Sequence, residues 1–181
     1  MKALFFMSLL QIHTLPDPVL REKAKPVKEI DVRIVQLMQD MLETMYKNNG
    51  IGLAANQVGI LERVITIDVS EERDGTKALF IANPEIVEKS EDTFTYREGC
   101  LSVPEQYAEI TRPKRVKIRY LDQNGQTQEI EAEGLLSQCF QHEIDHLNGK
   151  LFIDHLSPLK RKMLLRKLEK TRCEQETSTL L

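Results

Sequence analysis

The sequence predicts an α+β fold: antiparallel strands packed around a central helix that carries two histidines one turn apart, with a further helix at the C-terminal end. Three observations predict it. Apolar residues recur at helical spacing over 135–147, short alternating strands flank a hairpin signal at Asn124-Gly125, and the elements run helix, several strands, helix, helix. That order lacks the strand–helix alternation of a parallel sheet. The 181 residues read as one domain, 1–181, large enough to bury about 70% of the surface of its unfolded chain.

In chain order, Met1 to Leu10 joins one positive charge to a short apolar run, as a signal peptide does, but no A-x-A-like cleavage site follows. Residues 1–6 therefore read as an N-terminal extension ahead of a start at Met7. Leu15-Pro16-Asp17-Pro18 and Lys25-Pro26 predict loop and short turns. From Asp31, a natural N-cap, Ile34, Leu37, Met38, Met41, Leu42 and Met45 form one helical face that closes before Asn48-Asn49-Gly50. Its methionines read as core packing. Strands are expected over Arg63 to Val69, Ala78 to Ala82, Arg115 to Tyr120 and Thr127 to Ala132. The 135–147 helix ends at Gly149, and residues 159–181 supply a last amphipathic helix, from about Leu159 to Lys170, and a tail. Met163, Leu164 and Leu168 are its candidates for core contact. No internal repeat or low-complexity segment interrupts this order.

Composition narrows the function classes. Hydrophobic residues at 41% and charged residues at 29% describe a soluble globular protein, and no segment has the apolar length of a membrane span. The formal net charge of −3 gives no general pull toward nucleic acid or anionic lipid, so such a partner would need a local patch. Three cysteines, Cys100, Cys139 and Cys173, argue against a disulfide framework and for a reducing compartment.

The chemistry concentrates in Gln141-His142-Glu143-Ile144-Asp145-His146. Residues four apart on a helix share a face, so His142 and His146 can grip one cation from the same side. Glu143 is turned away by roughly a quarter of a turn and can reach a water rather than the cation. Leu135, Cys139, His142 and His146 form one stripe, with Leu136, Phe140, Glu143 and Leu147 beside it.

A third ligand is sought in Glu98-Gly99-Cys100-Leu101-Ser102-Val103-Pro104, where Gly99 permits an unusual backbone angle and Pro104 limits pairing. Two His and one Cys would leave a fourth position open, the catalytic arrangement rather than the closed structural one. Glu109 and Asp145 remain carboxylate candidates on spacing, and Cys139 and Cys173 read as small buried hydrophobes. Gly50-Ile51-Gly52-Leu53-Ala54-Ala55-Asn56-Gln57 formally matches a dinucleotide fingerprint, but it follows a helix instead of a strand, which excludes that reading. Its small residues suit close backbone approach, with the Gln57 amide as a donor into the site.

These three segments, in this order, resemble the three motifs of the peptide deformylases, in particular the bacterial type with a long C-terminal helix; the similarity runs from about Met7 to Glu169. The resemblance implies a cytoplasmic enzyme that removes the N-formyl group from the initiator N-formylmethionine of nascent polypeptides and releases formate. It implies Cys100, His142 and His146 as metal ligands, Glu143 as the catalytic carboxylate, and the Gln57 side chain and Leu101 N–H as oxyanion donors. Leu135 and Cys139, which could equally be core, become the walls of a methionine pocket. Ile51, Gly52 and Gly99 become backbone partners of a substrate lying like an added strand. Tyr107 stands where some relatives carry a basic residue facing the later substrate positions, and Gln138 replaces a more usual aliphatic beside the methionine pocket; both departures bear on peptide preference. The family favours Fe2+, although His₂Cys also suits Zn2+, with Ni2+ or Co2+ as further substitutes.

Two other functions compete from the residues alone. H-E-x-x-H also serves zinc peptidases, and a metal-stabilised binding module would need no turnover. Separately, Lys160, Arg161, Lys162, Arg166, Lys167, Lys170 and Arg172 face one acid, Glu169, and suggest contact with ribosomal RNA. No membrane partner is expected.

Overall fold

A computed structural model describes residues 8–179, with side chains through residue 173. Residues 1–6, read above as an extension, lie outside the described residues. The elements are α1 Val32–Lys47, β1 Gly52–Ala54, β2 Val64–Ile67, β3 Leu79–Lys89, β4 Thr93–Cys100, β5 Val103–Pro113, β6 Arg115–Leu121, β7 Thr127–Glu133, α2 Gly134–Leu147 and α3 Pro158–Thr179. One antiparallel sheet has the order β1-β2-β3-β6-β7, and β4 and β5 form a separate two-stranded ribbon. This is the α+β arrangement the sequence predicts.

Period-2 alternation decides how the layers stack. In β2, Ile65 and Ile67 pack toward Phe140, Ile144 and Leu147 of α2, while Val64 joins Met38, Met41 and Met45 of α1. All four β2 residues are therefore buried, and the sheet is clamped between two helices. The predicted α1 face is the buried one, and the Asp31 carboxylate caps the helix by accepting from Ile34 N at 2.8 Å. Gly125 takes φ +73° at the β6–β7 turn, where Asp122 accepts hydrogen bonds from Asn124 N and Gln126 N.

The structure departs from expectation in several places. β3 does not stop at Asn83-Pro84 but continues to Lys89, because those two residues sit in a register shift where no ladder hydrogen bond is asked of Pro84. Asn83 has φ +51°, and its side-chain amide pairs with both Val27 N and Val27 O at 2.8 Å, standing in for a strand neighbour. The β4–β5 ribbon has no strong sequence signal, since Thr93, Thr95, Arg97, Glu109 and Thr111 all point to solvent. Gly99 is absent from the left-handed conformations; a Cβ there would lie 2.6 Å from the Tyr107 ring, so close approach is what requires glycine. α3 extends past Lys170, and Leu164, Leu165 and Leu168 pack on Val103, Ile110 and Phe152. Met163 and Cys173 are exposed rather than packed, because each falls on the outward face of that helix.

One half-buried cluster holds the glycine-rich segment in place. Asp68 N donates to Ile51 O at 2.9 Å, the Tyr46 hydroxyl donates to the Asp68 carboxylate, and Arg73 donates to Gly50 O. Burial pushes the Asp68 carboxyl up, but hydrogen bonds from Ser70 and Tyr46 outweigh it and hold the group below the usual carboxylate range. A lowered native pKa stabilises the fold above the unfolded value of about 3.9, and that contribution is lost as pH falls through the native value. Asp68→Asn should therefore lower the urea midpoint at neutral pH and flatten its decline below about pH 4. Parallel midpoint–pH curves for wild type and variant would contradict this.

Candidate active site

The hairpin between β4 and β5 delivers the cysteine. Cys100 pairs with Val103 across the turn Leu101-Ser102, whereas Gly99 pairs with Tyr107, so Pro104 to Gln106 form a bulge beside the site. Ser102 anchors the tip: its carbonyl accepts from Leu15 N at 2.9 Å and its hydroxyl from Gln57 Nε2 at 3.1 Å.

The histidines come from α2, the helix buried between ribbon and sheet. Gln141 fixes its position by donating from Nε2 to Pro113 O at 3.0 Å, at the end of β5. His142 and His146 then present Nε2 to Nε2 at 3.3 Å, and His146 Nε2 lies 3.2 Å from Cys100 Sγ. The three donor atoms fall within 4.8 Å of one another. Two imidazole nitrogens and a thiol at that spacing fit a transition metal or zinc ion.

A charged network behind His142 sets its direction. His142 Nδ1 lies 3.0 Å from Glu98 Oε2, which leaves Nε2 facing the cluster. Arg112 donates to both Glu98 oxygens, at 2.6 and 3.0 Å, and to Asp145 Oδ2 at 2.8 Å; that oxygen also lies 2.8 Å from His155 Nε2. Burial pushes the Glu98 carboxyl up, yet His142 and Arg112 hold it below its ordinary range. Asp145 resists burial in the same way, through His155 and Arg112, and sits at about 2. For His142, burial opposes the charged ring, but Cys100 and Glu98 favour it more strongly and raise its pKa. His146 is pushed down by burial and by His142. The Glu98 carboxylate at the far nitrogen thus favours positive charge at the His142 ring.

Glu143 stands at the edge of this cluster. Its side chain is buried, and Oε2 has no hydrogen-bond partner among the described residues. Burial pushes its carboxyl up to about 7, and a cation held nearby would oppose that. Gly52 makes the room, since a Cβ there would lie 2.4 Å from Glu143 Oε1 and 2.6 Å from Cys139 Sγ. The Gln57 amide is oriented by Ala54 N, which donates to Oε1 at 2.9 Å, so Nε2 points toward Cys100 Sγ at 3.6 Å.

The structure gathers nearly every residue singled out from sequence around one cleft of about 880 Å³. Ile51, Gly52 and Gln57 line one side, Gly99, Cys100 and Leu101 the other, and Leu135, Cys139, His142 and Glu143 the floor. His146 lies beneath, completely buried. Leu135 is 44% exposed, an apolar surface open to the cleft and not core. Two carboxylate candidates fall away: Glu109 points to solvent on β5, and Asp145 is engaged with Arg112 and His155. Sequence reasoning missed the supporting roles of Glu98, Arg112 and His155. The available signal was the buried alternation Ile110, Arg112 on β5, which becomes legible only once β5 is recognised as a strand.

A Cys/His/His donor set beside a buried carboxylate, at the floor of a cleft in an α+β fold, defines a hydrolase of the H-E-x-x-H class. The family model described as polypeptide deformylase matches residues 9–162, and the chain belongs to that family. A peptide deformylase of Bartonella tribocorum is 51% identical over 173 residues, 94% of this chain and 97% of that one. One from Agrobacterium fabrum is 49% identical, covering 91% and 96%. The crystal structure of a peptide deformylase from Legionella pneumophila superposes with a TM-score of 0.88 at 46% identity, covering 93% of this chain and 98% of that one. That of Ehrlichia chaffeensis in complex with actinonin gives 0.86 at 44%, covering 91% and 98%.

Glu98→Gln should remove the charge that orients His142 and weaken metal binding by about 10–100-fold in a chelator competition assay. Unchanged affinity would mean that the network serves folding alone.

Proposed function

We propose that this protein hydrolyses the formyl amide of N-formylmethionyl nascent peptides, releasing formate and a free amino terminus, with the whole chain acting as one domain. The observation that carries the reading is the convergence of Cys100, His142 and His146 beside Glu143 at the floor of the cleft. Those three side chains would hold one divalent cation, whose charge polarises the formyl carbonyl and lowers the pKa of water.

The remaining work falls to the chain's own groups. Glu143 accepts the proton of the attacking water and passes it to the leaving amine as the C–N bond breaks. The Gln57 amide and the Leu101 N–H stabilise the charge that builds on the formyl oxygen. Ile51, Gly52 and Gly99 offer backbone groups to an extended peptide, and Leu135 and Cys139 cover the first side chain. The metal favoured in the cell is Fe2+, with Zn2+, Ni2+ or Co2+ as substitutes, and the site of action is the cytoplasm. Among the described residues no helix is long and apolar enough to cross a membrane.

Formylated and unformylated Met peptides offered to protein prepared without oxygen, with metal content measured on the same sample, test the reaction. Formate release that rises with iron content is expected; cleavage of the unformylated peptide bond would contradict the reaction, and full activity only with zinc would overturn the preference for Fe2+. Gln57→Ala should lower kcat by about 10²–10³ with little change in KM. A pure KM effect would remove Gln57 from the reacting centre. The basic face of α3 is proposed to meet ribosomal RNA; replacing Lys162, Arg166 and Lys167 with Glu should abolish salt-sensitive co-sedimentation with ribosomes, and undiminished co-sedimentation would dismiss the contact.

A further inference from the structure

On the helix that carries the histidines, one polar side chain facing the cleft has no role in the reaction and no anchoring hydrogen bond. Gln138 lies one turn before His142 on α2, between Leu135 and Cys139 on the same face, and lines the cleft. It is 9% exposed, and its Oε1 is buried with no hydrogen-bond partner among the described residues. Gln106, on the bulge at the opposite wall of the cleft, likewise has a buried Nε2 without a partner among the described residues, whereas the other two glutamines next to the metal-ligand cluster are anchored. Gln141 Nε2 is bound to Pro113 O, Ser137 O and Ser137 Oγ, and Gln57 is held at both ends of its amide. A buried amide oxygen without a protein partner is costly, and an aliphatic side chain of the same size would fill that space without the cost. An amide left unanchored at a ligand cleft is free to turn its N–H or its C=O toward what binds there.

We infer that Gln138 is a specificity-determining residue that gives the pocket for the first side chain a hydrogen-bonding wall, so that N-formylmethionine sulfoxide is accepted alongside N-formylmethionine. The inference rests on the deformylase reading above. Methionine sulfoxide keeps the length and unbranched shape of methionine and adds one strong acceptor oxygen at sulfur. Leu135, Cys139 and Ile51 cover the methylene groups, as they would for the thioether, while the Gln138 N–H donates to the sulfoxide oxygen. In a wholly apolar pocket that oxygen would lose its water without replacement. The cleavage step is unchanged: water adds to the formyl carbon, the C–N bond breaks, formate leaves, and the sulfoxide remains unreduced.

The test compares kcat/KM for three peptides that differ only in the first residue: formylmethionyl, formylmethionine-sulfoxide and formylnorleucyl. Wild-type enzyme should process the sulfoxide peptide within about tenfold of the thioether peptide. In Gln138→Leu the ratio of sulfoxide to norleucine turnover should fall by about tenfold, the factor that 1.4 kcal/mol represents. A wild-type preference against the sulfoxide greater than tenfold overturns the inference, and so does an unchanged ratio in the variant. If Gln138→Leu does not fold, Gln138→Met provides the same comparison, and the wild-type arm is independent of both. Failure of wild-type enzyme on all three formylated peptides would instead overturn the deformylase reading.

Discussion

Arg112 is the side chain on which the centre depends. It projects from β5 with its guanidinium forked across both oxygens of Glu98 on β4 and reaches Asp145 on α2. Glu98 in turn meets His142. The two supports of the metal centre, a ribbon carrying Cys100 and a helix carrying both histidines, are thereby locked in register by one closed set of charges. Removing one partner from such a buried set typically costs about 3–5 kcal/mol, because the remaining charge is left uncompensated. That penalty confines the helix to one position against the ribbon, which a site requiring three donor atoms in close register needs.

The cleft is built by subtraction as much as by contact. Gly52 leaves space for the Glu143 carboxylate and the Cys139 thiol, and Gly99 leaves space for the Tyr107 ring. Tyr107 is in turn covered by Arg97, whose guanidinium carbon lies 4.7 Å from the ring centre. A cationic group therefore sits at the cleft rim on β4, although position 107 itself is aromatic. Behind His142 the Phe152 ring stacks at 6.3 Å, so the imidazole has an apolar wall on one side and a carboxylate at its far nitrogen. Burial without that carboxylate would favour the neutral ring and leave its orientation loose.

The sequence made the helices and the β6–β7 hairpin legible because their signals are local. The α1 stripe, the Asp31 cap and Asn124-Gly125 each act within a few residues, and all three are where they were expected. The motif residues were legible because ligand chemistry restricts residue type and spacing. The ribbon was not, because its strands are stabilised by each other and by one buried edge, leaving mostly polar residues with little periodic hydrophobicity. Asn83-Pro84 misled for a related reason: a side-chain amide pairing with Val27, distant in sequence, carries the chain through a pair of residues that normally ends a strand. Supporting residues such as Arg112 and His155 acquire meaning only from contacts across the fold, which spacing along the chain cannot express.

The claim that one cation is held by a hairpin thiol and two helix imidazoles is tested most directly by titrating metal-free protein with Co2+ under argon and recording its absorption spectrum. The predicted result is one Co2+ per chain, with a thiolate-to-cobalt charge-transfer band that disappears in Cys100→Ser while weaker binding through His142 and His146 remains. A cobalt spectrum identical in wild type and Cys100→Ser would contradict it.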